Sequence, residues 1–356
     1  MSSRSILWFR RDLRISDHPA LLAALAESDE IIPVFILDPT LIKTAGSKRL
    51  AYLGQSLHHL DDSLDKSLQV LVGDQITVLK DLQKKYNAQS VHISAEYEPY
   101  GAKRDLAIEA AGIKLIRTGS PYAVAPGRVL KPSDQSPYRV YTPFYRGWCA
   151  HGWRKPADKP KEINTVKAEA SDRNFPDWKL PEGTNITPAG EVAAIERFKY
   201  FQKNGLDDYD VTRNLAGIDG TSKMSAHLKW GEIHPRTLLA PLGERFFREH
   251  LVDYDVASNA HGWQWTAGCG TDASPYYRVF NPIEQGKRFD EDGVYIKKYV
   301  PELAHLNGID VHEPWNASDG YLKNYPKQIV DHALERIESL ARLEEIKVSK
   351  PLPPVK

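Results

Sequence analysis

Ile6-Leu7-Trp8-Phe9-Arg10-Arg11-Asp12-Leu13-Arg14 opens the chain with an apolar run too short for a helix, broken at once by arginines and an aspartate. Apolar residues bounded by charge in this way read as a strand buried on both faces, the kind a parallel sheet uses. Outward from it, Ile31–Leu37, Leu68–Val72, Val91–Ser94 and a weaker run at Lys114–Ile116 recur, separated by segments of helical period. Five such units predict an α/β domain over residues 1–125 with a Rossmann-like, doubly wound parallel sheet. Ser16 or Asp17, followed by Pro19 and Ala20–Ala26, predicts the first helix start, because a short polar cap and an early proline suit its open N–H groups. The loop after the first strand carries no Gly-x-Gly-x-x-Gly, and no Walker A sequence occurs. Without those glycines the backbone cannot approach a pyrophosphate closely, which argues against a nicotinamide dehydrogenase or a P-loop enzyme.

Beyond this region the pattern changes. Residues 126–190 are rich in Pro, Asp, Lys and Trp without sustained periodicity, which predicts a long linker packed over the surface. Residues 191–356 read as mostly helical, with helices expected at Glu191–Asn204, Ser222–Trp230, Pro235–Glu249 and Gln328–Lys347. With 41% hydrophobic residues among 356 the chain can bury sizeable cores, and 47 basic against 47 acidic residues leave only local basic patches for an anionic partner. Cys149 and Cys269 are the two cysteines and form no Cys-x-x-Cys pair, so a disulfide framework, a zinc ribbon and an iron–sulfur site are unsupported and no metal is expected. The chain reads as reduced, intracellular and cytoplasmic. No apolar run approaches the length of a membrane span, and the arginines after Phe9 leave no room for a signal-peptide core.

Three stretches carry chemistry. Tyr209-Asp210-x-x-Arg213, then Gly220-Thr221-Ser222-Lys223-Met224-Ser225, place hydroxyls and a glycine just before a helical pattern. Such a helix start suits a phosphate or pyrophosphate, and equally an ordinary N-cap with spare serines. In Leu251–Trp265, Asp253, Asp255 and Asn259 punctuate a region flanked by apolar and aromatic residues. Carboxylates at i and i+2 do not share a helix face, so each has a different task, either general acid–base work or structural anchoring. Trp263 and Trp265 suit core packing, stacking or redox relay. Gly268–Pro282 offers small residues, Tyr276, Tyr277 and Arg278, a turn able to present a cation and aromatic faces to bases and phosphates or simply to water.

Together these stretches resemble the photolyase/cryptochrome family, and in particular cyclobutane pyrimidine dimer photolyases. Ile6–Arg14 is similar to the family's opening strand and loop, Ser136–Tyr138 and Tyr141–Phe144 to its linker, and Trp263-Gln264-Trp265 through Asn281-Pro282 to its flavin-domain signature. The resemblance implies an α/β antenna domain, a wrapping linker and a helical FAD-binding domain. It implies that Tyr209, Thr221, Ser222, Met224 and Ser225 hold the flavin phosphates and ribityl chain, and that Asp253, Asp255 and Asn259 surround the ring, Asp255 accepting from a ring N–H and Asn259 facing N5. By the same resemblance Trp263 is the tryptophan nearest the flavin, and Arg213, Trp265 and Arg278 contact the lesion or the DNA backbone. A folate or deazaflavin antenna is implied as well, with Glu98 where a folate would be bound.

The implied function is that of a deoxyribodipyrimidine photo-lyase: excited, reduced FAD passes an electron to a pyrimidine dimer flipped out of damaged DNA, the ring opens and the electron returns. A monomer on duplex DNA is expected, with unstacking cheapest at the lesion. The alternatives are a light sensor or DNA-binding module of cryptochrome type and a flavin-free remnant. One departure separates this chain from its relatives. Leu239-Ala240-Pro241-Leu242 joins Gly231–Arg236 directly to Gly243–Phe247, where relatives carry several further helices, so the helical domain is internally truncated near 240–243. The lost helices carry, in relatives, the arginine that pairs with the counterpart of Asp253, and a buried carboxylate without its partner costs several kcal/mol or turns neutral.

Overall fold

The computed structural model describes residues 2–215, 217–239 and 281–349. Five parallel strands, β1 (Arg4–Phe9), β2 (Glu30–Leu37), β3 (Gln69–Val72), β4 (Val91–Ile93) and β5 (Leu115–Arg117), form one sheet in the order β3-β2-β1-β4-β5. The five apolar runs of the sequence are these five strands, within a residue or two at each end. Successive side chains of a strand point to opposite faces, and both faces are covered here. Leu7, Phe9, Ile31, Phe35 and Leu37 enter one core with Leu21 of α1 (Pro19–Glu27) and Leu57 and Leu60 of α3 (Ser47–Ser63). Ile6, Trp8, Ile32, Val34 and Ile36 enter the other with Leu79 and Leu82 of α4 (Gln75–Tyr86) and Ile108 of α5 (Pro99–Ala110). Two-sided burial is why these strands read as continuous apolar runs, and each fully buried Leu or Ile contributes on the order of 1.5–3 kcal/mol.

Local chemistry sets the helix ends. Asp74 caps α4 by accepting from the Thr77 N–H at 3.0 Å, and Asn87 closes it in the left-handed conformation at φ 53° behind Lys84 and Lys85. Short α2 (Pro39–Lys43) is capped by Asp38. The first helix departs from expectation: its cap is His18, whose Nδ1 accepts from the Leu21 N–H at 3.0 Å. Asp17 is instead buried in the left-handed region at φ 46°, with its carboxylate committed elsewhere. Pro33 lies inside an interior strand, normally a poor place for a residue without an N–H. It falls after a bridge from Ile31 to Thr165 of the linker and before pairing with β3 begins at Val34, so its missing donor interrupts neither.

The linker is stitched to the sheet. Thr165 bridges β2, Arg173 bridges β3 and also grips the buried Asp61 carboxylate with both Nη atoms at 2.6 and 3.1 Å, while Phe175 and Trp178 pack on the first core. Its one α-helix is α6 (Tyr141–His151), which buries no residue. Downstream, α7 (Glu191–Asn204) has the bounds expected from the sequence, whereas α9 (Ser225–Trp230) begins three residues after Ser222, and a one-turn α8 (Tyr209–Thr212) precedes it. The helix expected at Pro235–Glu249 is present over 235–239, where the described segment ends. Further helices occupy Pro282–Phe289, Val294–Tyr299 and His332–Ser349, the last starting four residues after the expected Gln328.

The chain divides into two compact units. One holds the residues up to Tyr138, Pro143–Tyr200 and the segment from Ser222; the other holds Arg139–Thr142, Phe201–Thr221 and the C-terminal helices. In the second, Leu303, Leu306 and Val311 form a small core on which Ile296, Val300 and Tyr325 pack. Among the described residues no helix is long and apolar enough to cross a membrane, and no group of three His, Cys, Asp or Glu could hold a metal ion.

Candidate functional site

The loop that follows β1 is the polar centre of the first unit. Asp12 is buried, accepts from the Arg10 N–H at 2.7 Å and the Ser94 hydroxyl at 2.5 Å, and lies 3.3 Å from the His18 ring. Burial pushes its carboxyl up, but His18, the Arg10 N–H and Ser94 outweigh that and hold it well below the usual carboxylate range. Arg10 pairs with Asp105 at 2.8 Å, Arg104 with Glu96 at 2.5 Å and Asp105 at 3.0 Å, and the two guanidiniums lie 5.0 and 4.8 Å from the Trp8 ring centroid. These groups stand beyond the carboxyl ends of β1 and β4, the point where a doubly wound sheet leaves a crevice. Here that position carries the chain's own ion pairs.

Arg14 carries the loop onward. Its guanidinium donates to the carbonyls of Ser16, Asp17 and Gly231 at 3.0, 2.7 and 2.9 Å, a cradle that ties the loop to the turn after α9. Asp17 accepts from Arg236 Nη2 and from the Ala157 N–H, both at 2.8 Å. His234 donates from Nε2 to the Ser120 carbonyl at 2.9 Å and accepts at Nδ1 from the Arg236 N–H at 3.1 Å. Burial, then Arg14 and Arg236, push its basicity far down. A neutral ring accepting at Nδ1 is no cation for Asp17, although the two lie 3.3 Å apart; Arg236 is the ion-pair partner.

The segment leading into α9 holds Ser222, Met224 and Ser225. Ser222 is buried and its carbonyl accepts from Arg197 Nε at 3.0 Å; Met224 is fully buried; Ser225 is exposed at the first helical position. Lys223 adopts the left-handed conformation at φ 56°, which turns the backbone between the buried Ser222 and Met224. Met224, the N-cap, makes no side-chain cap bond, so no side chain of the cap competes for the first-turn N–H groups. Buried anchors at Ser222 and Met224 thus flank the turn, and an exposed hydroxyl follows at the helix start.

In the second unit, Tyr209 is buried at the start of α8, meets Phe201 edge-on at 5.6 Å and lies 5.9 Å below the Arg213 guanidinium; Thr221 is half-buried in the same unit. Glu98 sits at the N-cap of α5, half exposed and paired with Arg11. Asp253, Asp255, Asn259, Trp263, Trp265 and Arg278 lie outside the described residues.

Sequence reading missed a fully buried cluster behind α9. Glu232 Oε1 accepts from the Ser56 hydroxyl at 2.6 Å and the Gly190 N–H at 2.7 Å, while Oε2 accepts from the Tyr52 hydroxyl at 2.7 Å and His227 Nδ1 at 2.6 Å. Burial first, then Glu232, raise the Tyr52 hydroxyl far above its ordinary value, so it stays a proton donor. The polar residues of α3 face inward at the i, i+4 spacing of Tyr52 and Ser56, which was the available signal. Their partner lies 180 residues away and left no local mark.

The sheet, the charge-filled loop after its first strand and the helices downstream define a protein with an α/β unit followed by a largely helical one. The family description "DNA photolyase" matches residues 5–162, and "FAD binding domain of DNA photolyase" matches 239–345. The chain is 28% identical to a deoxyribodipyrimidine photo-lyase of Agrobacterium fabrum over 96% of its own length and 98% of the relative's, and 27% identical to that of Synechococcus over 98% of each. A solved bacterial class III photolyase from Agrobacterium tumefaciens superposes with TM-score 0.79 at 28% identity, covering 98% of both chains, and a Synechocystis cryptochrome shares the fold at TM-score 0.78 and 20% identity. The chain belongs to the photolyase/cryptochrome family. The alignment with the Agrobacterium fabrum protein runs over 470 positions, and this chain has 356 residues, so more than a hundred positions have no counterpart here. Since both ends align, the loss is an internal deletion.

Proposed function

We propose that this chain is a light-driven deoxyribodipyrimidine photo-lyase that holds FAD and acts on damaged DNA as a monomer in the cytoplasm. The observation that carries the reading is the near end-to-end similarity to enzymes of that name, 25–29% identical over 95–98% of this chain for the first seven, together with the match to a photolyase FAD domain. When bound, FAD supplies one-electron chemistry driven by blue light, and no general acid or nucleophile is needed. The chain's own residues bind, orient and exclude water. Tyr209, Thr221, Ser222, Met224 and Ser225 are assigned to the phosphates and ribityl chain; the left-handed turn at Lys223 and the exposed Ser225 hydroxyl at the start of α9 support this.

Asp253, Asp255 and Asn259 are assigned to the isoalloxazine ring and Trp263 to the tryptophan next to it. Arg213, Trp265 and Arg278 are assigned to DNA, and Glu98 to an antenna chromophore, a folate or a deazaflavin. The division into an antenna domain at 1–125, a linker at 126–190 and a helical FAD domain at 191–356 belongs to the same proposal. Phosphate contacts supply affinity despite a net charge of zero, because only the local field at the backbone matters.

Two measurements test it. The purified chain, reconstituted with FAD, is expected to show a flavin absorption band; no band refutes the reading. Incubation with dimer-containing DNA under blue light should then restore intact pyrimidines. A flavin band with dimers left intact assigns the chain to the sensor side of the family.

A further inference from the structure

Glu232 is fully buried and among the described residues meets no Lys or Arg, but four donors: two hydroxyls, a backbone N–H and an imidazole. A buried carboxylate is expensive unless its lone pairs are filled, and here all are. The donors come from separate parts of the first unit: Tyr52 and Ser56 from α3, Gly190 from the residue before α7, and His227 from the middle of α9. Gly190 has φ +102°, and a Cβ there would lie 2.8 Å from the His59 ring, so the backbone N–H reaches the carboxylate only because the position lacks a side chain.

His227 is the link toward the proposed cofactor segment. It lies two residues after Ser225, is wholly buried, and spends Nδ1 on Glu232 at 2.6 Å. Its Nε2 has no hydrogen-bond partner among the described residues, so the ring's orientation is fixed through Nδ1, by Glu232 at 2.6 Å and by the Tyr52 hydroxyl at 3.1 Å, which is itself bonded to Glu232. A helix of six residues has little stability of its own, and its first turn is held in place by what its side chains grip. Removing the imidazole leaves a buried carboxylate lone pair unsatisfied.

We propose that Glu232, acting through His227, is a positioning residue that holds residues 222–226 in the conformation required for the flavin phosphates. This rests on the function proposed above, although its structural half does not depend on it. His227→Leu removes the donor, and His227→Asn restores an N–H at the Nδ1 position. Amide hydrogen exchange of the full chain without flavin, followed over 222–228 and over β1 and β2, reads positioning directly; quenching of FAD fluorescence reads affinity.

In His227→Leu, exchange over 222–228 should rise about tenfold or more and FAD affinity should fall by a similar factor, with β1 and β2 unchanged and His227→Asn close to wild type, since one lost charged hydrogen bond corresponds to roughly that factor. Unchanged exchange over 222–228 overturns the proposal, as does an equal rise across β1 and β2, which makes the pair a general anchor of the fold. Failure of the wild-type chain to bind FAD counts against the proposed function, and the exchange result still decides the positioning role. Flavin binding by His227→Leu as tight as by wild type overturns the link to the cofactor.

Discussion

Gly231→Ala should be among the most damaging single-methyl additions in the chain. Gly231 ends α9 in the left-handed conformation at φ 67°, and a Cβ built there would lie 1.9 Å from the Arg11 carbonyl oxygen, 2.5 Å from its carbon and 2.7 Å from the Asp12 Cα. All three atoms are backbone and no rotamer change relieves them. Restoring a van der Waals separation requires the two segments to part by roughly 1.5 Å. That opening breaks the Leu13 N–H to Trp230 carbonyl bond at 3.1 Å and the Arg14 to Gly231 carbonyl bond at 2.9 Å. A neutral bond contributes about 1 kcal/mol, a charged one about 2, and a left-handed alanine costs about 1 more, so a loss of about 4 kcal/mol is expected. Gly152→Ala is the matched control: Gly152 has the same φ of 67° and nothing within 4 Å of the added methyl, so it pays for the backbone strain alone. Equilibrium urea unfolding of both variants and wild type isolates the clash. A Gly231→Ala midpoint no lower than that of Gly152→Ala would refute the claim that this loop and turn are in hard contact.

The other expectations concern charge and ligand. Asp12→Asn places an amide against the Arg10 N–H or the Ser94 hydroxyl and should cost about 1–3 kcal/mol at neutral pH. Because the folded Asp12 carboxyl is held below its unfolded value, its stabilisation is full above about pH 4 and is lost as pH falls further, so the gap between variant and wild type should close in acid; a gap independent of pH contradicts the assignment. Arg278→Ala should weaken DNA binding and lower the salt slope by about one if the side chain meets a phosphate, and an unaltered slope removes that role. Asn259→Leu should change the redox behaviour of bound flavin with little effect on DNA affinity; identical redox titrations would count against a place beside N5.

The five strands were legible because each is buried on both faces, and two-sided burial writes an uninterrupted apolar run that needs no partner to be recognised. The α7 bounds were legible from helical period instead, since Ala194, Phe198 and Phe201 recur on one buried face. The start of α1 was not: Ser16 and Asp17 are good caps by type, but Asp17 is drawn away by Arg236 from 219 residues downstream, and His18 takes the cap. Nor was the stitching of the linker, since Thr165 and Arg173 reach residues 134 and 103 positions earlier, Ile31 and Val70. Of the site, Thr221, Ser222, Met224 and Ser225 share a short segment and could be read together, whereas the unit boundary that falls between Thr221 and Ser222 left no local mark.

Apolar period and motif spacing are properties of short stretches, so the parallel sheet, the order of sheet, linker and helices, and the family could be read locally. Which charges are satisfied, and by whom, follows from contacts between segments far apart in the chain. Asp12, Asp17 and Glu232 look alike in the sequence as single carboxylates beside a turn. Folding gives the first the backbone of its own loop, the second an arginine and the third four donors, three of them from distant segments. Burial makes each pairing obligatory, since an unpaired charge in the interior costs more than the fold can spare, and burial is set by chain segments far apart in sequence.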